Sequence, residues 1–540
     1  MTAVEPIPAG DHRIAKGHSR FSKSGEQRSG GRDGTPQGHP RPWRTALLVV
    51  VPYVILGLAW VFSNPPGAAP DEMDHLTKAI AAARLEIGAP VALDPATTNL
   101  GALRNASIAR TVRIPAALDP AGYACMAFVP TQTAACQPAA THASGSVERV
   151  TPVGAYPVFW YIPLGWAANL AGTPSGAFYL ARLVSLSFCV VLLWLGCWHL
   201  IRWLGRPATL GLAVAVTPMS VFATATVSTS GIEISSAVAV SAVVVVATRF
   251  PRSLASTSTL ATLAVAGSSL VLSRQLGGVS LVLFAIIALC RGGARVVWEQ
   301  LRRGRWPTIV CCLVLVLAGV GILIWERRYD HPALTGDLFT QAGFADFLSR
   351  LFDYVKSGIG SFGYLDTDLP GLLYAVWIVV AVIVVFGALV VGSRADRWTI
   401  GLSFLAVLVV AYAVQATVFT PIGAGLQGRH ILPIFSVVPL LAGVVLVDYW
   451  TRARRSENIW RLMVGPAVAA GLLQIVAVYV NGRRYGVGTS GPVIFLKAAN
   501  WAPPLGWLTW LVAAAIGGIW ITVNGIGSAR GGIHVMNEVR

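Results

Sequence analysis

The stretch TALLVVVPYVILGLAWVF (45–62) runs without interruption into SNPPGAAPDEMDHLTK (63–78). The first part is an apolar run close to the ~20 residues that cross a bilayer as a helix. The second part sets Asp71, Glu72, Asp74 and His75 within five positions. Pro70 suits the first turn of a helix, where its missing N–H costs nothing. Asp71 and Glu72 then fall in that turn, where the helix dipole favours negative charge. Asp71 and His75 are four apart and share a face, as do Asp74 and Lys78. An acidic cluster at the mouth of an apolar span implies a membrane protein with a polar site at the bilayer surface.

Composition extends that reading to the whole chain. Of 540 residues, 55% are hydrophobic and only 12% charged, against about 25% charged in soluble domains. Mean hydropathy is +0.64. The expected fold class is an all-α polytopic membrane protein. The 18 tryptophans suit interfacial belts. The net charge of +17 does not point to nucleic acid, because the basic residues gather in loops between alternate spans.

Residues 1–44 are polar and basic, too poor in apolar side chains to bury a core, and are expected to be a disordered cytoplasmic tail. After 45–62, spans are expected near 177–203, 208–226, 232–248, 256–272, 276–290, 307–325, 371–391, 399–418, 431–449, 461–480 and 506–524. That makes about twelve transmembrane helices in a membrane domain over 45–525, with a short cytoplasmic tail at 526–540. The pair 256–272 and 276–290 also fits a re-entrant hairpin. Arg249, Arg252, Arg291, Arg295, Arg302, Arg303, Arg394, Arg397, Arg452 and Arg454 fall in connections on one side. By the positive-inside rule that side, with both termini, is cytoplasmic.

The large outer loops are then 63–176 and 326–370. The first carries a helical patch at Leu76 to Leu85 and a proline-broken aromatic segment from Ala155 to Trp166, read as an interfacial or re-entrant helix. It also carries Cys125 and Cys136, which suit a disulfide if the loop is extracytoplasmic. The other five cysteines lie in or beside apolar segments and read as small hydrophobes.

There is no P-loop, His-Glu-x-x-His, Cys-x-x-Cys or Gly-x-Ser-x-Gly pattern. Chemistry must come from scattered polar residues on the outer side. Asp71 or Glu72 suits a general base that polarises an acceptor hydroxyl; the plainer alternative is a helix start with acids placed for the dipole. His75 either orients Asp71 or is structural. Arg182, Arg274 and Arg429 sit at expected outer membrane ends, where guanidinium groups either clamp a phosphate or snorkel to head groups. Glu233 either pairs with one of them or favours its own helix N-terminus. Asp366 and Asp368 read as solvated loop acids. Acids beside phosphate oxygens suit a divalent cation, but nothing in the sequence demands a metal.

Pro70-Asp-Glu-x-x-His75, Tyr156-Pro with Tyr161-x-Pro163, Tyr179-Leu-Ala-Arg182, Thr217-Pro-Met219, Gly363-Tyr-Leu-Asp-Thr367 and Gln427-Gly-Arg-His430 follow one another along the chain. Together they resemble the domain-of-unknown-function 2142 family of bacterial membrane proteins, over about residues 45–525. That family in turn resembles the GT-C superfamily of membrane glycosyltransferases. The resemblance implies transfer of a sugar from a polyprenyl-phosphate donor to a cell-envelope acceptor, on the outer face of the bacterial cytoplasmic membrane. It implies a catalytic acid at Asp71 or Glu72, with His75 nearby, and places 155–171 as juxtamembrane helices. Arg182, Arg429 and Arg274 would hold the donor phosphate. Tyr156, Trp160 and Tyr161 would line the lipid or sugar path, with Glu233 and His430 beside them. The chain departs from the family pattern in having His430 where a Tyr is usual, an added acid at Asp74, and no large soluble domain after the last span. The competing expectation is a transporter or flippase of a lipid-linked glycan. Its ionisable groups would sit near the bilayer midplane, whereas here they gather at outer ends and loops.

Overall fold

The computed structural model describes residues 41–92, 99–139, 143–329, 336–453 and 456–538. Most of the expected basic tail therefore lies outside the described residues. Helix α1 (Pro42–Ser63) opens with a proline in its first turn. The loop region after it holds α2 (Glu72–Ala83), β1 (Ala89–Pro90), α3 (Leu100–Ile108), β2 (Arg110–Pro115), β3 (Ser146–Thr151) and α4 (Tyr161–Ala168). There follow α5 (Pro174–Leu204), α6 (Leu212–Ala215), α7 (Pro218–Thr224), α8 (Ser230–Arg249), α9 (Thr257–Ser273), α10 (Gln275–Gly292), α11 (Ala294–Arg303) and α12 (Arg305–Tyr329). The chain continues with α13 (Gln341–Ser349), α14 (Leu351–Gly360), β4 (Ser361–Phe362), β5 (Thr367–Asp368), α15 (Gly371–Val391) and α16 (Arg394–Val414). It closes with α17 (Gly428–Phe435), α18 (Val437–Arg452), α19 (Ser456–Val487) and α20 (Gly506–Glu538). Helix α20 runs on through residues expected to form a tail from 526.

Among the described residues, nine helices are long and apolar enough to cross a membrane, and eleven if two bent pairs each count as one span. The 17-residue α9 stands at the one remaining expected span, 256–272. The two bent pairs have local causes. Pro218 has no N–H to continue a helix, so α6 ends and Thr217 caps α7, its side chain accepting from the Ser220 amide at 3.1 Å; the axes differ by 86°. Pro433 lies inside α17 and cannot donate to the Arg429 carbonyl one turn back; α17 and α18 meet at 41°.

Helix α8 is the centre of the bundle. Its apolar span is wholly buried, against α5, α7, α9, α10, α17 and α18. A helix apolar all round belongs in such an interior. On α12, Ile309, Leu313, Val316, Val320 and Leu323 are instead exposed. So large an apolar face needs a bilayer, since soluble surfaces keep such patches small.

The loop region is more structured than a single helical patch. β1, β2 and β3 form an antiparallel sheet in that order. Along β2, Arg110, Val112 and Ile114 alternate inward and the strand packs on α2. The helix begins at Glu72, earlier than the patch. Helix α4 crosses α2 at Gly165, where a Cβ would lie 1.8 Å from the Ala79 carbonyl oxygen. The sites discussed below lie at this loop end of the bundle. At the opposite end Asp396 pairs with Arg249 and Arg291 at 3.0 and 3.2 Å, and Arg249 also reaches Asp448 at 3.4 Å.

Candidate active site

Glu72 and Arg182 form a fully buried pair, both side chains 0% exposed. Arg182 gives Nε and Nη2 to the two Glu72 oxygens at 2.7 and 2.6 Å. Its remaining N–H groups go to the carbonyls of Val61, Asn64 and Pro65 at 2.6–2.9 Å. All five donors are thus engaged. Glu72 also accepts from the Val227 amide at 2.9 Å. This corrects two expectations. Glu72 is too enclosed to take a proton from a substrate, and Arg182 has no donor left for a phosphate. The pair fastens α1, α2, α5 and the loop before α8 together.

The connection from Asn64 to Asp71 contains three prolines, so it is rich in acceptors and poor in donors. Buried carbonyls need partners, and side chains from distant elements supply them. Besides the Arg182 bonds, Pro66 O accepts from Gln137 Nε2 at 2.5 Å, Gly67 O from Tyr364 Oη at 2.7 Å and Ala68 O from Tyr485 Oη at 3.1 Å. Ala69 O takes the Glu72 amide at 3.1 Å. Every carbonyl from Asn64 to Ala69 is therefore held.

This fastened loop delivers Asp71. Asp71 is the residue before the first turn of α2, not within it, and its backbone is left-handed at φ 59°. That conformation costs a non-glycine residue about 1–2 kcal/mol. The Asp71 carboxylate makes no capping bond to α2; it is 60% exposed and 3.9 Å from Arg429 Nη2. The Arg429 side chain is 10% exposed and its Nε has no hydrogen-bond partner. Arg274 stacks over the Tyr156 ring at 5.5 Å and lies within electrostatic range of Glu233, Tyr161 and Asp71. Glu233 is buried in the first turn of α8 with Oε1 unpartnered. His430 lies flat against Phe419, ring centres 6.3 Å apart.

His75 is buried and shares a 2.6 Å hydrogen bond with Tyr161 Oη; its ring is 6.3 Å from that of Tyr156. Burial first, then the positive charges of Arg274, Arg429 and Lys78, push its pKa well below the usual value. Burial raises the pKa of the Tyr161 phenol. Burial and neighbouring Asp71 raise the Asp74 carboxyl to about 7. Lys78 turns from Asp74 to donate to Gly154 O; burial, then Arg110, lowers its pKa to about 7. The structure thus brings together Asp71, His75, Tyr156, Tyr161, Glu233, Arg274, Arg429 and His430, and leaves Glu72 and Arg182 behind them. Trp160 is tied away, its Nε1 donating to Ser269 O at 3.2 Å. Among the described residues, no three His, Cys, Asp or Glu side chains are grouped to hold a metal ion.

Two supports lie outside the sequence expectations. Asp366 is not a solvated loop acid; it is 9% exposed and paired with buried Arg484 at 2.8 Å. Arg484 lies beyond the span expected at 461–480, within a helix that runs on to Val487, so the span reading did not single it out. Asp368 pairs with Lys356 at 2.6 Å. The second support is Gln415, 0% exposed. Its amide donates to Asp346 and Ala424 O at 2.8 and 3.0 Å, and its carbonyl accepts from Tyr354 Oη and the Leu426 amide at 2.9 and 2.8 Å. It shapes the 420–427 turn that leads into Arg429. Gly428 follows, where a Cβ would lie 2.2 Å from Tyr354 O.

A family model described as "Predicted membrane protein (DUF2142)" matches residues 54–438. The chain belongs to the DUF2142 family. The matched DUF2142 span runs from within α1 to the start of α18, so it includes Asp71, Arg274 and Arg429 and ends before Arg484. A solved structure of ArnT from Cupriavidus metallidurans in the apo state is similar at 14% identity, over 89% of this chain and 75% of that one. The TM-score of that superposition is 0.41. No curated protein matches the sequence.

Proposed function

We propose that this DUF2142 protein is an inverting membrane glycosyltransferase that moves a sugar from a polyprenyl-phosphate donor to a hydroxyl of a cell-envelope acceptor on the outer face. The observation that carries the reading is Asp71. It is a carboxylate 60% exposed, following a loop whose carbonyls from Asn64 to Ala69 are all fastened, and it lies 3.9 Å from an arginine with an unpartnered Nε. Asp71 takes the proton of the acceptor hydroxyl as its oxygen attacks the anomeric carbon. The bond from that carbon to the phosphate oxygen breaks, and the electron pair leaves with the lipid phosphate. Arg429 and Arg274 meet the charge that develops there, an electrostatic role fixed before reaction. A single displacement inverts the anomeric centre. Tyr156 and His430 line the approach, while Tyr161, expected there too, is fully buried behind them against His75. A divalent cation at this site would draw much of its oxygen shell from the substrate phosphate.

The test is complementation of a deletion strain, read as envelope-glycan composition. Asp71→Asn should reduce transfer by about 10²–10⁴-fold, the usual worth of a general base, with normal membrane insertion. Wild-type glycan in the Asp71→Asn strain would overturn the assignment.

A further inference from the structure

Arg484, Asp366 and the loop closed by Cys125 and Cys136 are remote from the reacting atoms, yet they converge on the Asp71 loop. The two cysteines form a disulfide, Cα atoms 6.1 Å apart. Arg484 is 2% exposed and donates to three carbonyls inside that ring: Met126, Val129 and Gln132, at 3.2, 3.0 and 2.6 Å. Its other partner is Asp366 Oδ2 at 2.8 Å. Asp366 Oδ1 accepts from the Tyr364 amide and Thr367 Oγ1 at 3.3 and 3.0 Å. This fixes a turn with Gly363 and Leu365 both left-handed, at φ 60° and 63°.

Residues adjoining each member of this layer bond to the Asp71 loop. Tyr364, in the Asp366 turn, donates to Gly67 O; Tyr485, next to Arg484, donates to Ala68 O; Gln137, next to Cys136, donates to Pro66 O. Ala68, Met126, Ala134 and Tyr485 also form one buried apolar cluster. Three consecutive carbonyls ahead of Asp71 are thus each held from the layer built on the disulfide ring.

The ring matters because a buried guanidinium needs its acceptors already in place. Closing the loop covalently limits how far its carbonyls can spread. Opening it leaves Arg484 under-satisfied in a buried site, a costly state, and loosens the turn that Asp366 holds. We infer that Arg484 and Asp366 are positioning residues for Asp71, and that the Cys125–Cys136 disulfide keeps that layer assembled, so the geometry of the Asp71 loop follows the redox state of this cystine. This rests on the Asp71 reading above, but its test is read without sugar transfer, so the two can fail separately.

The experiment is hydrogen exchange by mass spectrometry on the full chain in lipid nanodiscs. A water-soluble phosphine reduces the cystine to two thiols and is itself oxidised to the phosphine oxide; Cys125 is exposed enough to meet it. Reduction should speed exchange of peptides over 64–76 by tenfold or more, with α8 unchanged. Asp366→Asn should do the same, and Asp366→Glu, which keeps the carboxylate, should restore most of the protection. Cys125→Ser with Cys136→Ser should match reduction, and adding Asp366→Asn should give little more, because members of one layer are not additive. If the serine variant does not fold, phosphine on folded wild-type protein supplies the same reading. Faster exchange over 126–132 with 64–76 unchanged would overturn the inference, as would independent, multiplying effects of Asp366→Asn and cystine loss.

Discussion

Glu72 and Asp71 are neighbours of one chemical type with opposite environments. Glu72 is sealed against Arg182 with no surface left, while Asp71 is 60% exposed. Removing one partner of a buried pair leaves the other charge uncompensated, at a cost of about 3–5 kcal/mol. Glu72→Gln should therefore lower the unfolding temperature in detergent by several degrees. Asp71→Asn should leave it nearly unchanged, because Asn tolerates the left-handed backbone that residue 71 adopts. Equal unfolding temperatures for the two variants would remove the distinction. The acidic pair itself was legible in the sequence as a local cluster after an apolar run. Which acid is exposed was not, because the answer depends on an arginine 110 positions away and on the backbone angle of one residue. Asp366 was misread for the same reason: its partner Arg484 is 118 positions distant.

At the scale of elements, apolar runs near bilayer length located the spans, because the bilayer imposes that length whatever packs around it. The break at Thr217-Pro218 and the small sheet of β1, β2 and β3 were not resolved. A proline inside an apolar run is compatible with a bent span, and six-residue strands give too short a pattern to stand out. Helix α2 is the element where burial acts on titration. Asp74 has its pKa raised from 3.8 to about 7, by burial first and Asp71 second. Between those values the folded chain holds a proton that the unfolded chain has lost. Its contribution to stability is therefore full below pH 3.8 and lost as pH rises through about 7. Lys78, lowered from 10.5 to about 7, has the opposite slope: the unfolded chain holds the extra proton, and stability recovers as pH rises through that higher window. Asp74→Asn removes the first slope alone. The stability it gains over wild type should grow from pH 5 to pH 8 in thermal unfolding, and a gain that does not vary with pH would rule out a raised Asp74.

For the whole molecule, the two ends of the bundle differ in kind. The loop end carries the disulfide, the fastened Asp71 loop and Arg274 with Arg429. The opposite end carries Arg249, Arg291 and Arg452 with Asp396 and Asp448, together with Arg295 in an exposed position. Arginine-rich connections are retained in the cytoplasm, and a disulfide persists where the environment is oxidising. These independent rules support the same proposed orientation: loop end outward, arginine-rich end inward. A lipid-linked donor presented outside would then reach Asp71 without crossing the bilayer again. The orientation can be read directly in intact cells, in a chain whose free cysteines are replaced. Leu170, 83% exposed at the loop end, becomes a reporter as Leu170→Cys, and Arg295 becomes the opposite reporter as Arg295→Cys. A membrane-impermeant maleimide should label position 170 in intact cells and position 295 only after the membrane is opened. The reverse pattern would invert the orientation and place Asp71 in the cytoplasm. It would remove both the outward-facing reaction and the oxidising environment that the disulfide requires.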